Sequence, residues 1–166
     1  MRPLALIVAT LTAAAGLQPA TLPRGVRAAL DRAYPGWRFA TIAPTLRPEL
    51  APDQRAEWVS GDFDADGRRD FAVQIVRAVA PAESAQVTVA FLRRPGGRYA
   101  RYVVRAGGVH QGIFLGRGTR GSRGRDLEAD TEFVYHADAV EIIYGQEAGE
   151  TCLFLRGRFR CLITSD

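Results

Sequence analysis

The chain has 166 residues, 47% hydrophobic and 24% charged, with a formal charge of +4. One soluble globular domain fits these figures; a disordered chain, two full-sized domains, a disulfide-dense scaffold and a four-cysteine zinc site do not. All 22 basic residues are Arg and Asn is absent, which removes any N-glycosylation sequon and points to a GC-rich genome rather than to a binding signal, since Lys and Asn both have AT-rich codons.

Residues 1–15 read as an export signal. Arg2 is the positive start, Leu4, Leu6, Ile7, Val8 and Leu11 form the apolar stretch, and Ala13-Ala14-Ala15 is the cleavage site, with Ala20 as a later option. The apolar run from Leu4 to Leu17 is 14 residues long. A membrane helix needs about 20, so no transmembrane segment is expected in the mature chain. Cleavage removes one charge, Arg2, and leaves +3. Residues 21–166 then form a single β-rich domain, periplasmic in a Gram-negative cell and extracellular otherwise, long enough to bury roughly 70% of its unfolded surface.

Leu22, Val26, Ala29, Leu30 and Ala33 recur at helical spacing, with Arg24, Arg27, Asp31 and Arg32 opposite. Thr21 is placed to cap this helix, and Tyr34-Pro35-Gly36 ends it. Residues 37–42 read as a first strand and 43–56 as an irregular, Pro-rich segment.

Residues 62–70 read Asp-Phe-Asp-Ala-Asp-Gly-Arg-Arg-Asp, the pattern D-x-D-x-D-G-x-x-D. Asp62, Asp64, Asp66 and Asp70 can converge on one centre, Gly67 permits the sharp turn, and the Arg68 carbonyl can add a ligand. An all-oxygen set favours calcium over zinc. An EF-hand would add a bidentate Glu three residues after Asp70, where this chain has Val73, so the expected affinity is weak, millimolar to sub-millimolar. The alternative is an Asp-Gly-rich turn without metal, partly neutralised by Arg68 and Arg69.

Alternation follows. Phe71, Val73 and Ile75 share one strand face, Val87, Val89 and Phe91 another, and Pro95-Gly96-Gly97 leads into a strand over 98–105. Further strands fall near 113–115, 131–135, 140–145, 151–155 and 158–163. The prediction is an α+β fold, mostly antiparallel β, with one N-terminal helix packed on a twisted, meander-like sheet of about 7–9 strands.

Other residues carry weaker chemistry. Residues 116–125 hold Arg117, Arg120, Arg123 and Arg125 among glycines and could grip phosphates or anionic glycans. No aromatic residue interleaves them for base stacking, so a flexible surface loop is the plainer reading and nucleic acid is not the expected partner. His110 sits in Gly-Gly-Val-His-Gln-Gly, which matches no catalytic signature. His136 and Asp138 form an H-x-D pair without a nearby nucleophile. Glu141, Glu147 and Glu150 could supply paired carboxylates for glycan hydrolysis, although surface acids are the simpler reading. At the C-terminus, an Arg156-Gly157 turn sets Cys152 opposite Cys161 in a narrow, non-hydrogen-bonded pair and predicts a disulfide, in keeping with export.

The stretch Gly61-Asp-Phe-Asp-Ala-Asp-Gly-Arg-Arg-Asp-Phe-Ala-Val73 resembles the calcium loop and following strand of FG-GAP / VCBS-type repeats, the units of integrin-like propellers. The order of features resembles, more closely, a group of small exported bacterial proteins of unknown function with one such loop. The shared landmarks are Tyr34-Pro35-Gly36-Trp37, the acidic loop, Val89-Ala-Phe-Leu followed by Gly97-Arg-Tyr99, Asp138-Ala-Val-Glu-Ile, Glu147-Ala-Gly-Glu150, and the hairpin from Arg158 to Thr164-Ser-Asp166. The resemblance implies calcium at Asp62, Asp64, Asp66, the Arg68 carbonyl and Asp70. A propeller needs several blades and one loop is present, so propeller architecture and integrin-like ligand binding do not carry over.

Together these readings lead to an exported, monomeric, non-enzymatic binding or structural module with a calcium loop and an unidentified protein or glycan partner. The alternatives are a secreted hydrolase using the Glu, Asp and His residues above, and an anion or nucleic-acid binder using residues 116–125.

Overall fold

A computed structural model describes residues 21–50, 54–80, 83–145 and 148–164; the export signal and Glu147 lie outside them. The molecule has three layers: a helix, a five-stranded sheet and a six-stranded sheet.

Helix α1 spans Arg24–Ala33 and buries Val26 and Leu30. Its N-cap is Pro23, whose carbonyl accepts the Arg27 N–H at 3.0 Å, so Thr21 does not cap it. The first sheet contains β1 (Arg38–Phe39), β2 (Trp58–Gly61), β3 (Asp70–Ala80), β4 (Glu83–Arg93) and β5 (Tyr99–Gly108). Its order is β1-β3-β4-β5, and β2 shares with β1 the same edge of β3, one opposite residues 70–73 and the other opposite 75–76. The second sheet contains β6 (Ile113–Gly118), β7 (Arg123–Asp126), β8 (Thr131–Val134), β9 (Ala139–Tyr144), β10 (Ala148–Leu155) and β11 (Arg158–Thr164), in the order β6-β9-β10-β11-β7-β8. Every pairing is antiparallel.

The mostly antiparallel fold with one helix therefore stands, while the expected single meander is corrected to two sheets with eleven strands among the described residues. The reason lies in β3 and β4, which are buried on both faces. Phe71, Val73 and Ile75, with Val87, Val89 and Phe91, pack on α1. Ala72, Ala90 and Leu92 point the other way, onto Leu115, Val140, Ile142 and Cys152 of the second sheet. A strand covered on both sides reads as a nearly unbroken apolar run, as residues 71–76 do apart from Gln74. The outer face of the second sheet is partly covered as well. A 3-10 turn over Pro44–Glu49 leads Ile42, Leu46, Leu50 and Ala56 onto Phe114 and Ile143.

Strand β7 lies inside the stretch read as a flexible loop. Residues 116–125 are instead the end of β6, a turn and the start of β7. Gly116 and Gly124 answer to packing: a β-carbon at Gly116 would lie 2.8 Å from the Ile143 side chain, and one at Gly124 would lie 2.6 Å from the Phe133 ring. The C-terminal hairpin has the expected register, with Leu155 opposite Arg158 and Cys152 opposite Cys161. Arg156 and Gly157 have φ of 51° and 81°, the positive pair that a type I′ turn requires. Cys152 and Cys161 form a disulfide with Cα atoms 3.9 Å apart.

Candidate metal centre

The acidic loop joins β2 to β3 at the end of the first sheet where β4 finishes and β5 starts. Three contacts anchor it. Phe63 is fully buried between the sheets and meets the Phe159 ring edge-on, with centroids 6.5 Å apart. The Asp62 N–H donates to Asp138 Oδ2 at 3.0 Å, and the Asp138 N–H donates back to the Asp62 carbonyl at 3.0 Å. Asp70, buried, accepts the Phe63 N–H at 2.9 Å and the Arg93 N–H at 2.7 Å. Gly61 is required by close approach, since a β-carbon there would lie 2.8 Å from the Phe63 ring and 2.9 Å from Asp138.

The turn itself is held by Asp62, whose two carboxylate oxygens accept the N–H groups of Asp66 and Gly67, each at 3.0 Å. Gly67 has φ of 80° and Ala65 of 59°; the second is uncommon for a residue with a β-carbon and is imposed by this tight winding.

Asp62, Asp64 and Asp70 each bring an oxygen to within 4.8 Å of the others, a group that could hold a metal ion. A carboxylate oxygen has two lone pairs, so those already accepting an N–H can still bind a cation. Asp64 is the residue least satisfied by the chain. Its side chain is 8% exposed, Oδ2 accepts Arg94 at 2.5 Å, and Oδ1 is buried with no hydrogen-bond partner. Burial raises the Asp70 carboxyl to about 7, helped by the negative Asp64 and Asp66 and opposed by the two backbone N–H groups. Three converging carboxylates, one buried and another with an unpartnered oxygen, fit a hard divalent cation.

The other two expected ligands behave differently. Asp66 turns to Arg68, accepting its main-chain N–H at 2.9 Å and its guanidinium at 2.7 Å. Arg68 is thereby the partner of an acid, with its side chain 43% exposed. Arg94, which the motif did not single out, lies between Asp64 and Asp66, 2.5 and 3.9 Å from them. It follows β4 by one residue, and no local pattern announces it because it reaches the loop across the sheet edge.

The remaining candidates do not form one site. Asp138 spends its carboxylate on the N–H groups of Asp62 and Arg120, both at 3.0 Å, while His136 is exposed. Glu150 pairs with Ile142 in the β9–β10 register and Glu141 with Thr151, so these two acids point to opposite faces of the second sheet. Among the arginines of 116–125, Arg125 pairs with Asp130, Arg117 donates to the Ser60 carbonyl at 3.4 Å, and Arg123 is exposed at the start of β7. Glu150 also lies near Cys152 and Cys161, but a disulfide offers no thiolate to a metal.

No protein-family model matches the chain, and neither a curated protein nor a solved structure shows significant similarity to it.

Proposed function

We propose that the protein is an exported, non-enzymatic binding or structural module in which calcium, held by Asp62, Asp64 and Asp70, fixes one end of the sandwich. The convergence of these three carboxylates, with the unpartnered, buried Asp64 Oδ1 among them, carries the reading. Asp66 and the Arg68 carbonyl complete the set once the Asp66–Arg68 pair opens. The loop touches both sheets through Phe63 and Asp138, so an ion there would secure the sheets against each other. Export agrees with the charged, apolar and small-residue order of residues 1–15 and with the Cys152–Cys161 bridge. No described helix is long and apolar enough to cross a membrane.

Titration calorimetry with calcium tests the proposal. The expected result is one ion per chain in the millimolar to sub-millimolar range, lost in Asp64→Asn. Absence of binding to the wild-type chain at about 10 mM calcium, beyond the range of such extracellular sites, would contradict it.

A further inference from the structure

A second polar feature lies between the sheets, away from the acidic loop. Gln74 of β3 faces Thr88 of β4, and Gln86 stands two residues before Thr88 on β4, so all three side chains share the face of the first sheet that looks toward the second. They are 1%, 4% and 5% exposed for Gln74, Thr88 and Gln86. The three line a cavity of about 320 Å³, closed on the far side by Ile113, Ile142 and Tyr144.

Two atoms in this cavity lack partners: Gln74 Oε1, an acceptor, and Gln86 Nε2, a donor. The Gln86 amide is oriented by its surroundings, because its Oε1 accepts the His110 N–H at 2.8 Å and only the NH₂ end can therefore turn inward. Buried amide groups without partners are disfavoured unless something pairs with them. What they call for is a donor and an acceptor on one ligand, the first for Gln74 and the second for Gln86. Charge at the rim is already spent: Arg105 binds Glu150 at 2.6 Å, and Glu150 accepts the Tyr144 hydroxyl at 3.0 Å. The complementary ligand is thus neutral. The lip is open backbone, since β-carbons at Gly107 and Gly108 would meet nothing within 4 Å.

We propose that this cavity binds a small neutral molecule through an acylamino group, –NH–CO–, whose N–H donates to Gln74 Oε1 and whose carbonyl accepts from Gln86 Nε2. Ile113 and Ile142 cover its apolar substituent. An N-acetylated amino sugar and a short peptide both carry this group, and both occur outside the cell membrane. The site does not depend on calcium, and its test runs with or without the ion.

The experiment is an NMR titration of the nitrogen-15-labelled mature chain with N-acetylglucosamine, N-acetylalanine amide and glucose. Saturable shifts of the Gln86 side-chain amide and of the His110 N–H are expected with one or both amide probes and not with glucose. Which amide probe binds more tightly separates the sugar source from the peptide source. Gln74→Leu removes the acceptor without emptying the site; it should weaken binding about tenfold or more while leaving the melting temperature unchanged or higher. Silence of the Gln86 resonance with both amide probes, or an equal response to glucose, overturns the proposal. So does a Gln74→Leu variant that binds as before and melts lower, the result expected if enclosed water satisfies the amides and their role is structural.

Discussion

The two ends of the space between the sheets handle buried polarity in opposite ways. At the β2–β3 loop, carboxylates are wound into the backbone, an aromatic anchor fills the gap between layers, and Arg94 supplies a positive charge. Near Gln74 and Gln86 the polar groups are neutral, the nearby ion pair is closed on itself, and a cavity remains. The first arrangement suits a cation that stabilises the fold, the second a neutral ligand that the fold accommodates. Asp70 and Gln74 are four residues apart on β3 and meet different surroundings, the loop at one and the cavity at the other.

The contrast between the two ends depends most on Phe63. Removing this anchor by Phe63→Ala should cost about 3–5 kcal/mol, as for other buried aromatic truncations. Calcium affinity should fall with it, read by denaturant unfolding with and without calcium. Amide binding at Gln74 should persist in the folded fraction; loss of both together would mean that the two ends are one cooperative unit.

A smaller effect comes from Asp70. Its carboxyl lies near 7 in the folded chain because burial outweighs its two N–H bonds, whereas an unfolded Asp titrates near 3.9. Between these values the folded state holds a proton that the unfolded state has released, so the Asp70 contribution to stability falls as pH rises from about 4 to about 7. In chelator, wild type should therefore lose melting temperature relative to Asp70→Asn across that window. Calcium should oppose the loss, because it binds the ionised form. A gap between the two chains that does not change with pH would contradict the assignment.

The smallest effect concerns Arg94. Its guanidinium competes for Asp64 Oδ2. Arg94→Gln should tighten calcium binding a few-fold and leave the amide titration unaltered, which sharpens the contrast between the ends. A weaker affinity in that variant would mean that Arg94 orders the loop rather than competing for it.

The acidic loop and the disulfide were legible from residues alone because both are local. Asp62 to Asp70 is one turn, and Cys152 and Cys161 are related by a hairpin whose Arg-Gly turn sets the register. The second sheet was not legible as a separate layer, since period-two alternation gives strands and faces but not which sheet a face meets. Strand β7 was hidden because its one glycine, Gly124, which suggests flexibility, instead admits the Phe133 and Tyr135 rings. The cavity had one signal, a glutamine inside the apolar run 71–76, whose meaning depended on Gln86 and on a second sheet contributed by residues about 40 to 70 positions away. Arg94 likewise follows β4 without a pattern of its own, and its relation to Asp64 comes only from strand pairing.

The most direct test of the central claim is thermal unfolding of the mature chain in calcium and in chelator. With calcium about tenfold above Kd, linkage predicts about 1.4 kcal/mol of added stability, or roughly 3–5 °C for a chain of this size. Asp64→Asn should abolish that increase, whatever its own melting temperature. Identical wild-type melts in calcium and chelator, or an undiminished increase in Asp64→Asn, would contradict calcium binding at this loop.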